Sequence, residues 1–297
     1  MLSDRLLECL ICPVCHGRPL VLVVDESDGD LIVQADLACP GCKRRYAVRE
    51  EIPVMMPPEL GSNLSASNER WDAWGTAMHR FLRWRDAAWA DPDQAATRRE
   101  RAREMHERFL EFCDLQAGPA DALDVGCGTG HVVDLLPEEV RYIGIDPLPG
   151  GHSPGGAIPA EMPKPVRTVS LVQGVGEHLP FSDDSFDLVL MMGTLDHTRS
   201  AEEALDEAAR VLHPEGMLCV LLGLGSSGEE GGIGYALRSL VQSLRGQQGP
   251  GARETHMRTF SSMDEVCSLL SSHFRIHDAM EHSNRAFVRA GLPGGGT

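Results

Sequence analysis

The stretch Leu123-Asp-Val-Gly-Cys-Gly-Thr-Gly-His131 decides the fold that this sequence predicts. A short apolar strand ends in three alternating glycines, Gly126, Gly128 and Gly130, and a helix is expected to follow. The glycines permit a tight turn and a close backbone approach to a ligand, and the amides at a helix start favour a carboxylate or another anion. A dinucleotide loop has the spacing Gly-x-Gly-x-x-Gly, whereas here the third glycine comes one residue early. The spacing therefore favours a nucleoside carrying an amino acid over a pyrophosphate.

The next predicted strand, Tyr142-Ile-Gly-Ile-Asp146, ends in a carboxylate. Asp146 follows the first glycine of the loop by about 20 residues, which is the spacing of a ribose-binding acid. A carboxylate at this point can accept hydrogen bonds from both hydroxyls of an adenosine ribose. The alternative is an ordinary solvated aspartate at a strand end, and the glycine loop favours the ribose role.

From Ala120 onward, short apolar runs alternate with helical patterns. This alternation predicts an α/β fold with a Rossmann-like, mostly parallel sheet and helices on both faces. The preceding segment is predicted to be mostly helical, and its tryptophans either cover the cofactor or merely pack. The predicted strands are Ala122–Val125, Tyr142–Ile145, Thr168–Gln173, Phe186–Met192 and Met217–Leu222, with a closing pair near Phe274–Asp278 and Phe287–Arg289, and the predicted helices include Asp93–Leu115 and Ala201–Leu212.

Five motifs occur in order and together resemble the class I S-adenosylmethionine (SAM) dependent methyltransferases over roughly residues 120–290. They are Leu123-Asp-Val-Gly-Cys-Gly-Thr-Gly130, Gly144-Ile-Asp146, Gly176-Glu-His-Leu-Pro-Phe181, Ser185-Phe-Asp-Leu-Val189 and Arg210-Val-Leu-His-Pro-Glu-Gly216. The resemblance implies a seven-stranded sheet, with SAM lying across the carboxyl ends of the first strands. The cofactor-binding residues it implies are Asp124, Gly126, Cys127, Gly128, Thr129, Gly130, Asp146, Pro147, Val175, Gly176, Glu177 and Met192.

The sequence departs from that family at the adenine position. The family often has Asp-Ala or Asn-Ala before the Glu-x-Leu-Pro-Phe motif, where Val175 and Gly176 stand here. The backbone or Glu177 must then replace the usual side-chain contact to adenine. The stretch Pro147–Pro165 is rich in proline and glycine, so the helix that usually follows the ribose acid is expected to be short or replaced by a loop.

Methyl transfer to a hydroxyl or an acidic carbon also needs a general base. Asp196 and His197 follow the fourth predicted strand, whose end lies beside the methyl group in the family. Imidazole is suited to proton abstraction near neutral pH, so His197 with Asp196 is the predicted catalytic pair, against the alternative of a structural histidine. Further candidate bases are His131, His152, His178 and His256.

Four cysteines near the N-terminus, Cys12, Cys15, Cys39 and Cys42, form two Cys-x-x-Cys pairs. Four thiolates complete a closed tetrahedral zinc site, which is structural because it leaves no open position for water or substrate. The surrounding sequence resembles the small zinc-ribbon activator subunit of tRNA and translation-factor methyltransferases. That subunit binds its enzyme as a separate chain, whereas here a similar ribbon is fused to the predicted enzyme. We expect the ribbon to pack on the catalytic domain or to dock a substrate carrier.

The predicted domains are a zinc ribbon over residues 1–58, a helical segment over 59–119 that caps the catalytic domain, and a SAM-binding domain over 120–297. The net charge of −17 argues against a nucleic-acid partner, because phosphate contacts need a basic surface. No signal peptide or membrane-spanning run is apparent, so a cytoplasmic protein is expected. The sequence leaves open whether it forms a homo-oligomer.

Three functions remain open at this stage. The first is methylation of a small-molecule acceptor, such as a secondary metabolite or sugar, at oxygen, carbon or nitrogen. The second is RNA base methylation, with the ribbon docking RNA. The third, of a different class, is a SAM-binding scaffold protein without catalytic activity.

Overall fold

The computed structural model describes residues 2–28, 31–60, 69–115, 121–148, 161–225 and 256–294. The helices in these ranges are α1 (Asp4–Cys9), α2 (Glu69–Trp89), α3 (Pro92–Cys113), α4 (Ala201–Val211) and α5 (Met263–Ser271). The strands are β1 (Val21–Asp28), β2 (Leu31–Ala38), β3 (Arg45–Arg49), β4 (Ile52–Pro53), β5 (Asp121–Val125), β6 (Arg141–Asp146), β7 (Ser170–Gln173), β8 (Phe186–Met192), β9 (Leu212–Gly223), β10 (Arg275–His282) and β11 (Arg285–Gly291).

The larger sheet has the strand order β10-β11-β9-β8-β5-β6-β7. The strands from β9 through β7 pair in parallel, while β11 is antiparallel to both β9 and β10. This confirms the predicted Rossmann-like, seven-stranded and mostly parallel sheet. The chain order reverses at β5, so the carboxyl ends of β5, β6 and β8 border one crevice, which is where such sheets bind their ligands.

The turn after the glycine loop differs from the prediction. Residues His131–Leu135 form a single 3₁₀ turn instead of a longer helix. Two β-branched valines occupy this turn, and Leu136 is extended because it precedes Pro137. The loop is therefore followed by a short turn. Among the described helices, none has the length and hydrophobicity needed to cross a bilayer.

The smaller sheet is antiparallel, with the order β1-β2-β3-β4. Strands β1 and β2 form an antiparallel hairpin, and residues 29–30 at its turn lie outside the described part. The two Cys-x-x-Cys pairs flank this hairpin. They come together at one end of it, where Cys39 N–H donates to Arg44 O at 2.8 Å.

The smaller sheet contacts the edge of the larger one beside β7. Met55 N–H donates to Gln173 O at 2.8 Å, and Val54 forms a parallel bridge with Gln173. After α1, Ile11 N–H donates to Pro180 O at 2.9 Å. A single buried apolar cluster includes Leu37 of the smaller sheet and Val172 and Phe186 of the larger one, together with Leu6, Leu10 and Phe181. Backbone pairing and a shared core therefore join the two units.

Two partly buried histidines, one on α3 and one directly after the glycine loop, predict that the protein loses stability in acid. The rings of His106 and His131 lie 5.3 Å apart, and His106 Nδ1 and His131 Nε2 have no hydrogen-bond partner among the described residues. Burial lowers the pKa of His106 to about 4, and it also lowers the pKa of His131. In the unfolded chain the pKa of a histidine is near 6.5, so between pH 6.5 and pH 4 the unfolded chain binds more protons than the folded one. The free energy of unfolding therefore falls as the pH drops from 7. For His106 alone, we expect a loss of about 2 kcal/mol between pH 7 and pH 5.

Urea unfolding at both pH values measures this loss. The variant His106→Phe keeps a ring but cannot be protonated, so its stability should fall by about 2 kcal/mol less than that of the wild type. His213→Gln, at an exposed position, is the control and should leave the wild-type pH dependence unchanged. Equal pH dependence in the wild type and His106→Phe would contradict the role of His106.

Candidate cofactor cavity and metal centre

The glycine loop is held tightly beneath the crevice. Gly126 N–H donates to Ile145 O at 2.8 Å, and its φ of +78° lies in the left-handed region that glycine favours. A Cβ at Gly126 would collide with the side chain of Thr194, whose hydroxyl donates to Val125 O at 2.7 Å. Gly128 differs, because a Cβ there would have no protein atom within 4 Å. The loop therefore packs closely at Gly126 and faces open space at Gly128.

Asp146 lies beside this open space. Its Oδ2 accepts the Gly128 N–H at 2.9 Å, and its Oδ1 accepts the Leu148 N–H at 2.7 Å. Each oxygen retains a further lone pair, so the carboxylate can still accept two ligand hydroxyls. Burial raises the pKa of Asp146, while the amides of Leu148 and Gly128 and the charge of Arg85 oppose the rise.

A cavity of about 240 Å³ occupies the crevice. The structure brings most of the predicted cofactor residues to its wall, together with the predicted base His197. The predicted residues that line it are Gly126, Gly128, Asp146, Pro147, Val175, Gly176, Glu177, Met192 and His197.

The other predicted residues of the loop lie behind the cavity wall. Asp124 Oδ2 accepts a hydrogen bond from the Tyr142 hydroxyl at 2.7 Å. Burial raises the pKa of Asp124 to about 7, although this hydrogen bond opposes the rise. Cys127 is buried, and its thiol packs where a Cβ of Gly144 would lie. The Thr129 hydroxyl lies 3.1 Å from His131 Nδ1, and Gly130 N–H donates to Cys127 O. These contacts shape the loop.

The sequence leaves either the backbone or Glu177 to replace the usual adenine contact, and the Glu177 carboxylate is engaged by protein amides. Its Oε1 accepts the Arg199 N–H at 2.5 Å and the Ser200 N–H at 3.2 Å, at the start of α4. Glu177 is almost fully buried, and burial raises its pKa while these amides oppose the rise. The carboxylate therefore fixes the loop before α4. Val175 and Gly176 leave the backbone as the polar surface at the predicted adenine position.

Helix α2 covers the cavity with a stripe of apolar side chains. The members of this stripe that line the cavity are Trp74, Met78, Phe81 and Leu82, with Arg85 at its end. Trp74 Nε1–H donates to His197 O at 2.9 Å, which ties the helix to the loop after β8. Sequence reasoning left open whether the tryptophan-rich segment covers the cofactor or only packs. The spacing of three and four residues in this stripe is the sequence signal that places these side chains on one face of the helix.

The predicted catalytic pair is joined by a third residue. Asp196 Oδ2 lies 3.2 Å from His256 Nε2, and the rings of His197 and His256 stack with centroids 4.3 Å apart. Burial disfavours the charged form of Asp196, but the His256 hydrogen bond and the charges of both histidines lower its pKa overall. The ring of His197 also packs on Phe81 at 4.5 Å. The sequence named His256 only as a further candidate, and His152 lies outside the described residues.

The four predicted zinc ligands meet in one cluster, with their sulfur atoms within 4.8 Å of one another. Cys12 Sγ lies 3.6 Å from Cys42 Sγ, and Cys15 Sγ lies 3.5 Å from Cys39 Sγ. Tetrahedral zinc with bonds of 2.3 Å would separate its sulfur ligands by about 3.8 Å, so the cluster fits zinc. The Tyr46 hydroxyl lies 3.0 Å from Cys12 Sγ and can donate to it, as a group outside the ligand set that orients a thiolate.

Comparison with protein families gives two matches. Residues 123–220 match the family described as methyltransferase domain, and residues 3–51 match the Trm112p-like proteins. The chain has a methyltransferase domain and a Trm112p-like domain. The cysteine cluster of the Trm112p-like domain is compatible with structural zinc.

Curated relatives match part of the chain. The methyltransferase GfsG of Streptomyces halstedii is 28% identical over 172 residues, covering 54% of this chain and 56% of that protein. The 2-methyl-6-phytyl-1,4-hydroquinone methyltransferase 2 of rice, Oryza sativa, is 28% identical over 123 residues, covering 40% and 33%. The chain thus spans between one third and somewhat over half of the length of these relatives.

A solved complex between the Haloferax volcanii Trm112 methyltransferase activator and a methyltransferase is also similar. It is 16% identical with a TM-score of 0.46, covering 70% of this chain and 97% of that chain.

Proposed function

We propose that this protein transfers a methyl group from SAM to a small-molecule acceptor bound beneath α2. The observation that carries the proposal is a single cavity whose lining includes Gly128, Asp146 and His197. Asp146 would accept the ribose hydroxyls, and the glycine loop would receive the methionine part. The proposed domains keep the predicted bounds of 1–58, 59–119 and 120–297.

SAM supplies a sulfonium methyl that is already activated for displacement, so the protein mainly positions donor and acceptor. Asp146 and the loop amides would fix the donor. Thr194 and Val125 hold the loop against β8, because the Thr194 hydroxyl donates to Val125 O. On the acceptor side, His197 lines the cavity and would take the proton of an acceptor hydroxyl, with the charge of Asp196 beside it.

The acceptor is proposed to be largely apolar. Trp74, Met78 and Phe81 give the α2 side of the cavity an aromatic and thioether surface, which suits a ring or an alkyl group. The rice relative, whose name specifies a hydroquinone, supports a metabolite acceptor. RNA is disfavoured as the acceptor, because the net charge is −17 and the α2 side of the cavity is mainly apolar.

Calorimetry with S-adenosylhomocysteine and the variant Gly128→Ala tests the cofactor site. A Cβ at Gly128 meets no protein atom within 4 Å, so the variant carries only the cost of its positive φ of +56°. If the ligand occupies this open space, affinity for S-adenosylhomocysteine should fall by at least about 10-fold, or 1.4 kcal/mol.

The matched control is Gly294→Ala. Gly294 has a φ of +95° with no atom near its Cβ position, and it does not line the cavity. This control should bind as the wild type does. Absence of binding to the wild type at millimolar S-adenosylhomocysteine would overturn the cofactor site and with it the proposed methyl transfer. Equal affinity of Gly128→Ala and the wild type for S-adenosylhomocysteine would show that the glycine loop does not contact the ligand.

The acceptor class is tested by labelled-methyl transfer from SAM into an extract, followed by separation of small molecules, RNA and protein. Label in the small-molecule fraction, lost in Asp146→Ala, is the expected result. Label in RNA would overturn the metabolite proposal and assign the Trm112p-like domain to RNA docking.

A further inference from the structure

Three side chains of types that bind metals come together beside the cofactor cavity. One of them is distant from the other two in the sequence, so they form no local motif. Asp196 and His197 follow β8, whereas His256 precedes α5 by several residues. One nitrogen or oxygen atom from each lies within 4.8 Å of the others. The backbone fixes this arrangement, because Met257 N–H and Arg258 N–H both donate to Asp196 O, at 2.8 and 3.2 Å.

The Asp196 carboxylate is only half satisfied by protein groups. Its side chain is 12% exposed, and Oδ2 lies 3.2 Å from His256 Nε2. Its Oδ1 is buried without a hydrogen-bond partner among the described residues. A buried, unpartnered carboxylate oxygen is costly, and a bound cation would remove that cost.

The donor set suits a divalent transition metal, and one ion can be shared once the ring of His197 turns out of its stack on His256, because a bound ion lies near the plane of each imidazole. Two imidazoles and one carboxylate suit Zn²⁺, Fe²⁺, Co²⁺ or Ni²⁺. Bonds of about 2.1 Å place neighbouring ligand atoms about 3.0 to 3.4 Å apart in octahedral or tetrahedral sites, and the separation of 3.2 Å between Asp196 Oδ2 and His256 Nε2 falls in this range. Three protein ligands leave at least one position for another molecule.

The position of the cluster suggests what would fill the open position. His197 lines the cavity together with Gly193 and Thr194 at the end of β8. A metal ion bound by His197 would therefore meet a molecule that lies in the cavity.

We propose that Asp196, His197 and His256 bind one divalent transition-metal ion, whose open position takes the acceptor oxygen. This role rests on the proposed methyl transfer. The acceptor hydroxyl would release its proton to solvent on coordination. The oxygen–methyl bond would form as the sulfur–methyl bond of SAM breaks, and neutral S-adenosylhomocysteine would leave. The ion would thus replace His197 as the group that activates the acceptor.

Cobalt titration of the full chain with its ribbon zinc retained tests the site directly. Co²⁺ bound by imidazole and carboxylate gives weak ligand-field bands, whereas Co²⁺ in the cysteine cluster would add intense thiolate charge-transfer bands. We expect one equivalent of Co²⁺ to bind without thiolate bands. Asp196→Asn and His256→Gln should lose this equivalent or weaken its binding by at least about 10-fold.

The matched control is His273→Gln, which removes a histidine that pairs with Asp206 outside the cluster and should leave cobalt binding unchanged. Titration of S-adenosylhomocysteine into the same samples separates the two proposals. Cofactor binding without cobalt binding would overturn the metal site alone, as would unchanged cobalt binding in folded Asp196→Asn. Cobalt binding without cofactor binding would leave the metal site standing and remove the proposed methyl transfer.

Discussion

Replacement of Asp146 by alanine is expected to lower the affinity for S-adenosylhomocysteine by at least about 100-fold. A hydrogen bond to a charged group contributes about 1.5–3 kcal/mol, and the ribose offers two hydroxyls to this carboxylate. The variant would also release the amides of Gly128 and Leu148, which Asp146 now holds at 2.9 and 2.7 Å. Isothermal calorimetry measures the change, and circular dichroism establishes that the variant is folded.

Asp134 offers a closely matched control. Its two carboxylate oxygens also accept two backbone amides, those of Val166 at 2.7 Å and Arg167 at 2.9 Å, but it does not line the cavity. Asp134→Ala should therefore keep the wild-type affinity while losing the same kind of backbone contact. If folded Asp146→Ala bound S-adenosylhomocysteine as tightly as the wild type, the ribose role would be lost.

The sequence predicts best those features whose residues lie in one motif or on consecutive elements of the chain. The glycine loop and Asp146 lie on consecutive strands, and the parallel pairing of β5 with β6 brings their ends together in any fold of this class. The cysteine pairs are similar, because a hairpin suffices to bring Cys12 near Cys42. In such cases, local geometry determines the site.

The features that the sequence did not predict depend on distant contacts. His256 reaches Asp196 only because the amides after it bind the Asp196 carbonyl, across 60 positions of chain. Glu177 lies in a family motif, yet the amides of Arg199 and Ser200 engage its carboxylate before any ligand could. Neither contact has a periodicity or a spacing that a single sequence could reveal.

Removal of the ribbon zinc is expected to destabilise the methyltransferase domain as well as the ribbon. Structural zinc contributes roughly 10–16 kcal/mol to the folding of small zinc modules, and here the same buried cluster includes Leu10 of the ribbon side and Phe181 of the larger sheet. Loss of the ribbon would also break the Met55–Gln173 hydrogen bond at the sheet edge. If about 5 kcal/mol of the free energy from zinc binding stabilises the larger sheet through the shared core, Cys12→Ser should lower Tm by at least about 10 °C.

Zinc content by mass spectrometry and calorimetric Tm measure this effect together. Cys267→Ser is the matched control, because Cys267 lies on α5 outside the cysteine cluster and should keep both the zinc and the wild-type Tm. Tyr46→Phe is expected to have a smaller effect of the same sign, since it removes only the hydroxyl that lies 3.0 Å from Cys12 Sγ. A zinc-free Cys12→Ser protein that melts at the wild-type temperature would show that the shared core does not need the metal. The ribbon would then stabilise the larger sheet through α1 and β4 alone.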